Sequence, residues 1–313
     1  SEPLRSTQTT SAAMTKTTLK RRKSYPLDQS PLYKLQNHRR LAELLKIDVK
    51  GLRDLAQSGR KIYTTWPDTS PSGKVRIIES PYPRLKRVQA RLAGLLAVIA
   101  PPDFLMCPVK GRSYVSNARL HAGARQTITL DVSAYFQSTT WKRVYWFFNK
   151  RLEMSSDVAW TLASLATIDG HLPTGSPLSP ILAYYAHENV WLSVARQARD
   201  SGCKFTLYMD DLTLSGDVVP DGVVWAIKQK IHTSGLRLNN RKERRYGNEA
   251  VVTGIAVTKS GIRPTKASNL KLKRMRDEVA ATNDVAAKGK LQRSLRGLEA
   301  QHRQIARTPA TPD

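Results

Sequence analysis

Two adjacent carboxylates, Asp210 and Asp211, stand between the short apolar runs Phe205-Thr206-Leu207-Tyr208-Met209 and Leu212-Thr213-Leu214-Ser215. Neighbouring anions repel. An Asp-Asp pair is at home in a solvated turn, but a divalent cation bound there would neutralise the pair outright. A third acid, Asp131, follows the β-branched run Thr127-Ile128-Thr129-Leu130. An acid at the end of a strand, with an apolar core behind it, is a good platform for a metal ligand because the strand fixes its position. Farther upstream, Lys74 and Arg76 lie two apart in Lys74-Val75-Arg76-Ile77-Ile78 and so share one face of a strand. Beside an acidic tip, such a face could hold a triphosphate by charge and bidentate hydrogen bonds.

These residues need elements to position them. Alternation of Phe205, Leu207 and Met209, then Leu212 and Leu214, predicts a hairpin with the acids at its tip. Residues 127–132 predict a strand, and residues 141–152 and 155–167 predict helices that return the chain to the same sheet. The Pro- and Gly-punctuated stretch from Gly170 to Pro180 predicts a loop opening a long helix over 181–200. Its backbone donors and helix N-terminus suit phosphates or base edges. Before these, leucines at helical spacing predict two helices within 30–57, broken near Asp48. Residues 61–66 and 74–78 predict a hairpin, and 83–100 a helix with a basic front ended by Pro101-Pro102. The stretch 111–121 predicts a glycine-started loop entering a short helix, on which Asn117 and His121 share one face; a lone histidine of this kind is more often a structural hydrogen-bonding residue than a catalyst.

Composition narrows the partner. The chain of 313 residues carries 51 Lys and Arg against 25 Asp and Glu, a formal charge of +26, and the excess is spread along its length. Such a surface favours a polyanion over a small neutral substrate. No apolar run approaches the length of roughly 18 residues that a membrane span needs. Cys107 and Cys203 lack metal-type spacing and read as reduced thiols of a cytoplasmic protein; no secretory signal opens the sequence. Residues 1–29, Ser/Thr-rich and then basic, predict a flexible arm. Residues 250–257 predict a strand, and 266–306 two basic helices parted near Asn283.

The order of parts, a strand ending in Asp131, a Gly/Pro loop into a helix, then Tyr208-Met209-Asp210-Asp211 on a hairpin, resembles the palm of the reverse transcriptases over about residues 30–265. Within that superfamily the chain looks most like the bacterial retron enzymes. Asn117-Ala118-Arg119-Leu120-His121 is similar to their Asn-Ala-x-x-His signature, and Val252-Thr253-Gly254 to their Val-Thr-Gly signature. The resemblance implies an α+β right-hand polymerase with an antiparallel palm sheet: an arm over 1–29, fingers over 30–115, palm over 116–258 and a helical, RNA-binding thumb over 259–313. It implies that Asp131, Asp210 and Asp211 are the catalytic, metal-binding triad. Arg76, with Lys74 as a weaker match, would grip the incoming triphosphate. Phe136 would exclude a ribose 2′-hydroxyl, and Gly175 and Ser176 would shape the nucleotide pocket. Lys242 would protonate the leaving pyrophosphate. Asn117, His121, Val252, Thr253 and Gly254, with the thumb residues Lys271, Lys273 and Arg274, are expected to bind nucleic acid.

The sequence also departs from the pattern. The loop that usually reads Leu-Pro-Gln-Gly is Leu172-Pro173-Thr174-Gly175, which removes the side-chain contact of the usual glutamine, and Ala134 stands where an acid is often found. Neither change touches a metal ligand. Primer extension needs attack by a 3′-alkoxide and departure of pyrophosphate, and two Mg²⁺ ions serve both oxygens; the protein's share of their oxygen-rich shells calls for Asp rather than Asn. The resemblance thus implies an RNA-directed DNA polymerase using Mg²⁺ and deoxynucleoside triphosphates. Its partners would be a cognate structured non-coding RNA, the single-stranded DNA that stays joined to RNA (msDNA), and a separately encoded effector in antiphage defence. The other readings are a reverse transcriptase of another bacterial class and a catalytically silent RNA-binding scaffold.

Overall fold

The computed structural model describes residues 24–70, 73 and 75–306. Most of the expected arm over 1–29, and Lys74, therefore lie outside the described residues. The arm's end corrects the expected boundary. Tyr25 donates its N–H to Val98 O at 3.1 Å and accepts from Ala100 N at 2.8 Å, because its ring and Leu27 pack on the main core.

The N-terminal part begins with helices α1 (His38–Leu45) and α2 (Val49–Ser58). Their starts are fixed by side-chain caps: Asn37 accepts from Arg40 N at 2.9 Å, and Asp48 from Gly51 N at 2.7 Å. Strands β1 (Tyr63–Thr69) and β2 (Val75–Pro81) form an antiparallel hairpin that places Asp68 opposite Arg76. Helix α3 (Pro83–Leu96) follows, with proline where its missing N–H does no harm.

The central sheet takes strands from distant parts of the chain: β3 (Leu105–Cys107), β4 (Gln126–Asp131), β5 (Lys204–Tyr208), β6 (Asp211–Gly216) and β7 (Arg244–Tyr246), in the order β3-β5-β6-β4-β7. All neighbours are antiparallel except the short edge strand β3, which pairs parallel to β5. Between these strands run α4 (Tyr114–Leu120), α5 (Tyr135–Ser138), α6 (Trp141–Trp146), α7 (Ser156–Ala166), α8 (Ser179–Ala186), α9 (Glu188–Asp200) and α10 (Asp221–Thr233). Trp191, Tyr184, Phe147 and Phe148 are sealed in the core they build. The helix expected over 181–200 breaks at His187, whose φ of −118° and ψ of 16° are not helical. The stretch 250–257 is likewise two strands, β8 (Glu249–Val252) and β9 (Ile255–Thr258), joined by β10 (Gly261–Pro264) in a second sheet. Thr253 at φ +45° and Gly254 at φ +80° turn the chain between them, the geometry that a two-residue hairpin loop requires. The apolar run on either side hides this turn from a reading of periodicity.

The described chain ends in α11 (Lys266–Ala281) and α12 (Val285–Ala306). A second, smaller core unites α4, β8, β9 and Ile305 of α12. Helix α11 buries no residue and is held to α12 by Arg276 on Glu299 and Ser268 on His302.

Candidate active site

Strand register brings the three acids together. Asp131, the last residue of β4, is the direct cross-strand partner of Asp211, the first residue of β6. Tyr208 and Asp211 close the β5–β6 hairpin, leaving Met209 and Asp210 as its two-residue loop. Met209 has a φ of +60°, a left-handed conformation that a bulky side chain rarely adopts; strain of this kind persists where the surroundings over-determine it. The backbone of Asp210 is tied in by Val132 N, which donates to Asp210 O at 2.9 Å, and that of Asp131 by Asn239 N at 2.8 Å. The acids are thus placed by main-chain bonds rather than by flexible side chains.

A pocket of about 210 Å³ opens here, lined by Thr129, Leu130, Asp131, Asp211, Lys242, Arg244 and Tyr246. Burial, then the nearby charges of Asp210 and Asp131, push the Asp211 carboxyl up to about 6 against a partial offset by Lys242. The Lys242 ammonium donates to Asp131 Oδ1, and that bond holds it more firmly protonated than an ordinary lysine. The local chemistry is a set of hard oxygen donors gathered at strand ends beside an open pocket, which fits a hard divalent cation. Among the described residues no three His, Cys, Asp or Glu side chains are closed into a ready-made cage. Mg²⁺ does not need one, since it is bound through one or two carboxylates with substrate phosphates and waters completing the shell.

The other predicted residues are more dispersed. Arg76 donates to Asp68 at 2.8 Å and is exposed. Phe136 is half-buried and stacks on Tyr135 with ring centroids 6.2 Å apart; Tyr135 is locked by donating to Ala183 O at 3.0 Å and accepting from Trp191 Nε1 at 3.1 Å. Gly175 lies so close to β2 that a Cβ there would sit 2.8 Å from Glu79 O. The Ser176 hydroxyl is buried and donates to Gln89 Oε1 at 2.6 Å. Lys271, Lys273 and Arg274 are exposed on α11.

The two short signatures form one structural unit, and this corrects part of the nucleic-acid assignment. Asn117, His121 and Val252 are buried, with at most 1 % of their surface exposed; side chains so enclosed do not meet a nucleic acid. His121 bridges the base of the β5–β6 hairpin, with Nδ1 2.6 Å from Ser215 Oγ and Nε2 2.7 Å from Thr206 Oγ1. Its burial drives the ring's pKa down to about 3, so it stays neutral. Thr253 Oγ1 donates to Tyr114 O at 3.0 Å and accepts from Asn117 Nδ2 at 3.4 Å, while Gly254 supplies the turn. Sequence reasoning also misses Arg244 and Tyr246. They reach the pocket because β7 pairs with β4, and a three-residue polar strand carries no alternation by which to find it.

A family model described as "Reverse transcriptase (RNA-dependent DNA polymerase)" matches residues 66–257, more than half of the chain. The chain is 32 % identical over 251 residues to the Retron Mx65 reverse transcriptase of Myxococcus xanthus, covering 72 % of this chain and 58 % of the relative. It is 28 % identical to the Retron Se72 reverse transcriptase of Salmonella heidelberg (strain 579083-10), over 56 % of this chain and 47 % of the relative. To the Retron Ec86 reverse transcriptase of Escherichia coli it is 28 % identical, over 73 % of each. The chain thus spans about half the length of the first two relatives. The matched segment contains Asp131, the Asp210-Asp211 hairpin and the loop that meets β2, and the chain belongs to the reverse transcriptase family, among the bacterial retron reverse transcriptases.

Proposed function

We propose that this protein is the RNA-directed DNA polymerase of a retron, copying a cognate structured non-coding RNA into single-stranded DNA that stays joined to RNA. The observation that carries the reading is the register pairing of Asp131 with Asp211 next to Asp210 at the hairpin tip. Asp131, Asp210 and Asp211 would hold Mg²⁺, which when bound supplies Lewis-acid stabilisation of the attacking and leaving oxygens.

The chain's own residues do the rest. Arg76 grips the triphosphate. To do so it leaves Asp68, and an exposed ion pair is worth only about 0.2–1 kcal/mol, less than the charge-assisted, bidentate contact a phosphate offers. Phe136, braced by Tyr135, guards the sugar. Lys242, held protonated beside Asp131, gives its proton to the departing pyrophosphate. The division into fingers over 30–115, palm over 116–258 and thumb over 259–313 is part of this reading.

Lys271, Lys273 and Arg274 hold the RNA through its phosphates, as the charge of +26 favours, and a structured stem would be read by shape and 2′-hydroxyls. The free thiols of Cys107 and Cys203 suit the cytoplasm; among the described residues no helix is long and apolar enough to cross a membrane. Service in antiphage defence with a separately encoded effector completes the proposal. The test is to treat nucleic acid that co-purifies with the protein separately with ribonuclease and deoxyribonuclease. A discrete species sensitive to both is expected; RNA alone would overturn the polymerase reading in favour of an RNA-binding scaffold.

A further inference from the structure

Thr174, the residue that departs from the usual Leu-Pro-Gln-Gly loop, is bonded to β2. Its hydroxyl donates to Ile77 O at 2.9 Å and accepts from Glu79 N at 3.0 Å. Next to it, Gly175 N donates to Glu79 O at 3.0 Å. In an antiparallel hairpin the main-chain groups of alternate residues face the partner strand, and those of the residues between face outward. Ile77 and Glu79 are the outward-facing pair here, so the loop occupies the free edge of β2 that would otherwise offer unpaired N–H and C=O groups. A second contact seals the same junction: His171 Nε2 lies 3.0 Å from Glu79 Oε1. Gly175 allows the close approach, since any Cβ would also meet Ser80 Cα at 3.0 Å.

The captured part of β2 begins at Ile77. Arg76 is the next residue toward the hairpin tip, in the ladder opposite Asp68 and with its exposed side chain paired to that acid. The strand is fixed to the palm on one side of this peptide and leaves the palm on the other. We infer that Thr174 is a positioning residue for the incoming nucleotide: by pinning the edge of β2 at Ile77 and Glu79, it sets where Arg76 stands when it meets the triphosphate. The hydroxyl's donor is used by Ile77 O and its main acceptor capacity by Glu79 N, so Thr174 acts through the strand rather than on the substrate. This rests on the reading of Arg76 given above.

Thr174→Val keeps the volume and removes both bonds, and Thr174→Ser keeps the hydroxyl. Removing two hydrogen bonds of ordinary strength corresponds to about a tenfold effect or somewhat more. Amide exchange at Glu79, read by NMR or over the β2 peptide by mass spectrometry, is expected to quicken about tenfold in Thr174→Val and to stay near wild type in Thr174→Ser. Unchanged exchange in Thr174→Val would overturn the pin, with or without DNA synthesis. In single-nucleotide extension of an RNA-templated primer, Thr174→Val is expected to raise KM for the nucleotide about tenfold while kcat stays within about twofold, with Thr174→Ser restoring KM. The double variant with Arg76→Ala should be no worse than Arg76→Ala alone. A fall in kcat without a change in KM, or additive losses in the double variant, would overturn the role assigned to Thr174. If Arg76→Ala leaves KM unchanged, the reading of Arg76 fails and this role fails with it, whereas the exchange result still reports on the pin by itself.

Discussion

Two hairpins in this molecule use the same backbone device for opposite ends. Each has a two-residue loop containing a left-handed residue: Met209-Asp210 between β5 and β6, and Thr253-Gly254 between β8 and β9. At the second, glycine carries much of the conformational burden, and the side chain of Thr253 turns inward to Tyr114 and Asn117. At the first, a methionine sits at φ +60°, the register places acid beside acid, and Asp211 faces a pocket with a raised pKa. A loop whose polar groups are consumed by the protein is structural. One that sets several carboxylates side by side at a cavity is a candidate for chemistry. Motif length and spacing do not separate the two; where each side chain goes does.

The strongest way to break the comparison is to exchange the roles. Asp210→Asn with Asp211→Asn removes charge at the tip without removing volume. DNA synthesis is expected to fall by on the order of 10³-fold or more, the scale of losing transition-state charge stabilisation, while the melting temperature does not drop, because mutual repulsion among the acids has been relieved. Primer extension alongside thermal unfolding checks both halves. Wild-type synthesis by the double variant would remove the triad from the mechanism.

At the other end of the same hairpin the expectation reverses. His121→Ala leaves the buried hydroxyls of Ser215 and Thr206 without their ring partner and opens a cavity, a loss of about 2–4 kcal/mol. Chemical denaturation should show it, with synthesis per folded molecule nearly unchanged below the new melting point. Loss of activity without loss of stability would make His121 a participant in chemistry after all.

Acid should expose the same residue. Burial holds both His121 and His187 near a pKa of about 3, against about 6.5 in an unfolded chain. Above that value both states carry neutral rings and these groups add no pH dependence. As pH falls from about 6.5 toward about 3 only the unfolded chain takes up their protons, so the folded state loses stability throughout that window. Urea midpoints at about pH 7.5 and about pH 5, on either side of the unfolded value, should differ in that direction, and His121→Ala should shrink the difference. An equal or larger difference in the variant would show that other groups govern acid sensitivity.

Much of this is legible in the sequence, and for identifiable reasons. Alternating apolar residues around Asp210 and Asp211 and the β-branched run before Asp131 specify strands, so the positions of the three acids at strand ends can be read from residue types and spacing. Asp48 marks the break between α1 and α2 through its capping chemistry. The failures also have causes. The break at His187 carries neither Gly nor Pro, and the apolar run over 250–257 conceals a turn whose only local mark is Gly254. Asn117 and His121 suggest a binding face because they share one side of a helix, yet that side is turned inward, onto Thr253 and onto the Thr206 and Ser215 hydroxyls. Periodicity locates a face and does not say what covers it.

The C-terminal helices sharpen the comparison at its weakest end. Helix α11 buries nothing and carries Lys271, Lys273 and Arg274 exposed, so their replacement by glutamine should change stability by less than about 0.5 kcal/mol, as for surface positions generally. If they meet RNA phosphates, every cation replaced leaves one more phosphate with its counterions, and the plot of log K against log salt should become shallower by about 0.7–0.9 per cation, about 2–3 for all three. Binding to an RNA hairpin, measured from about 0.05 to 0.2 M salt, reads this directly. Parallel slopes for wild type and triple variant would mean that α11 faces solvent in the complex as well, leaving the grip on RNA to other basic surfaces such as that of α3. A shallower slope with an unchanged melting temperature is the signature of a surface whose charges act only on a partner, the converse of His121, whose two bonds act only on the fold.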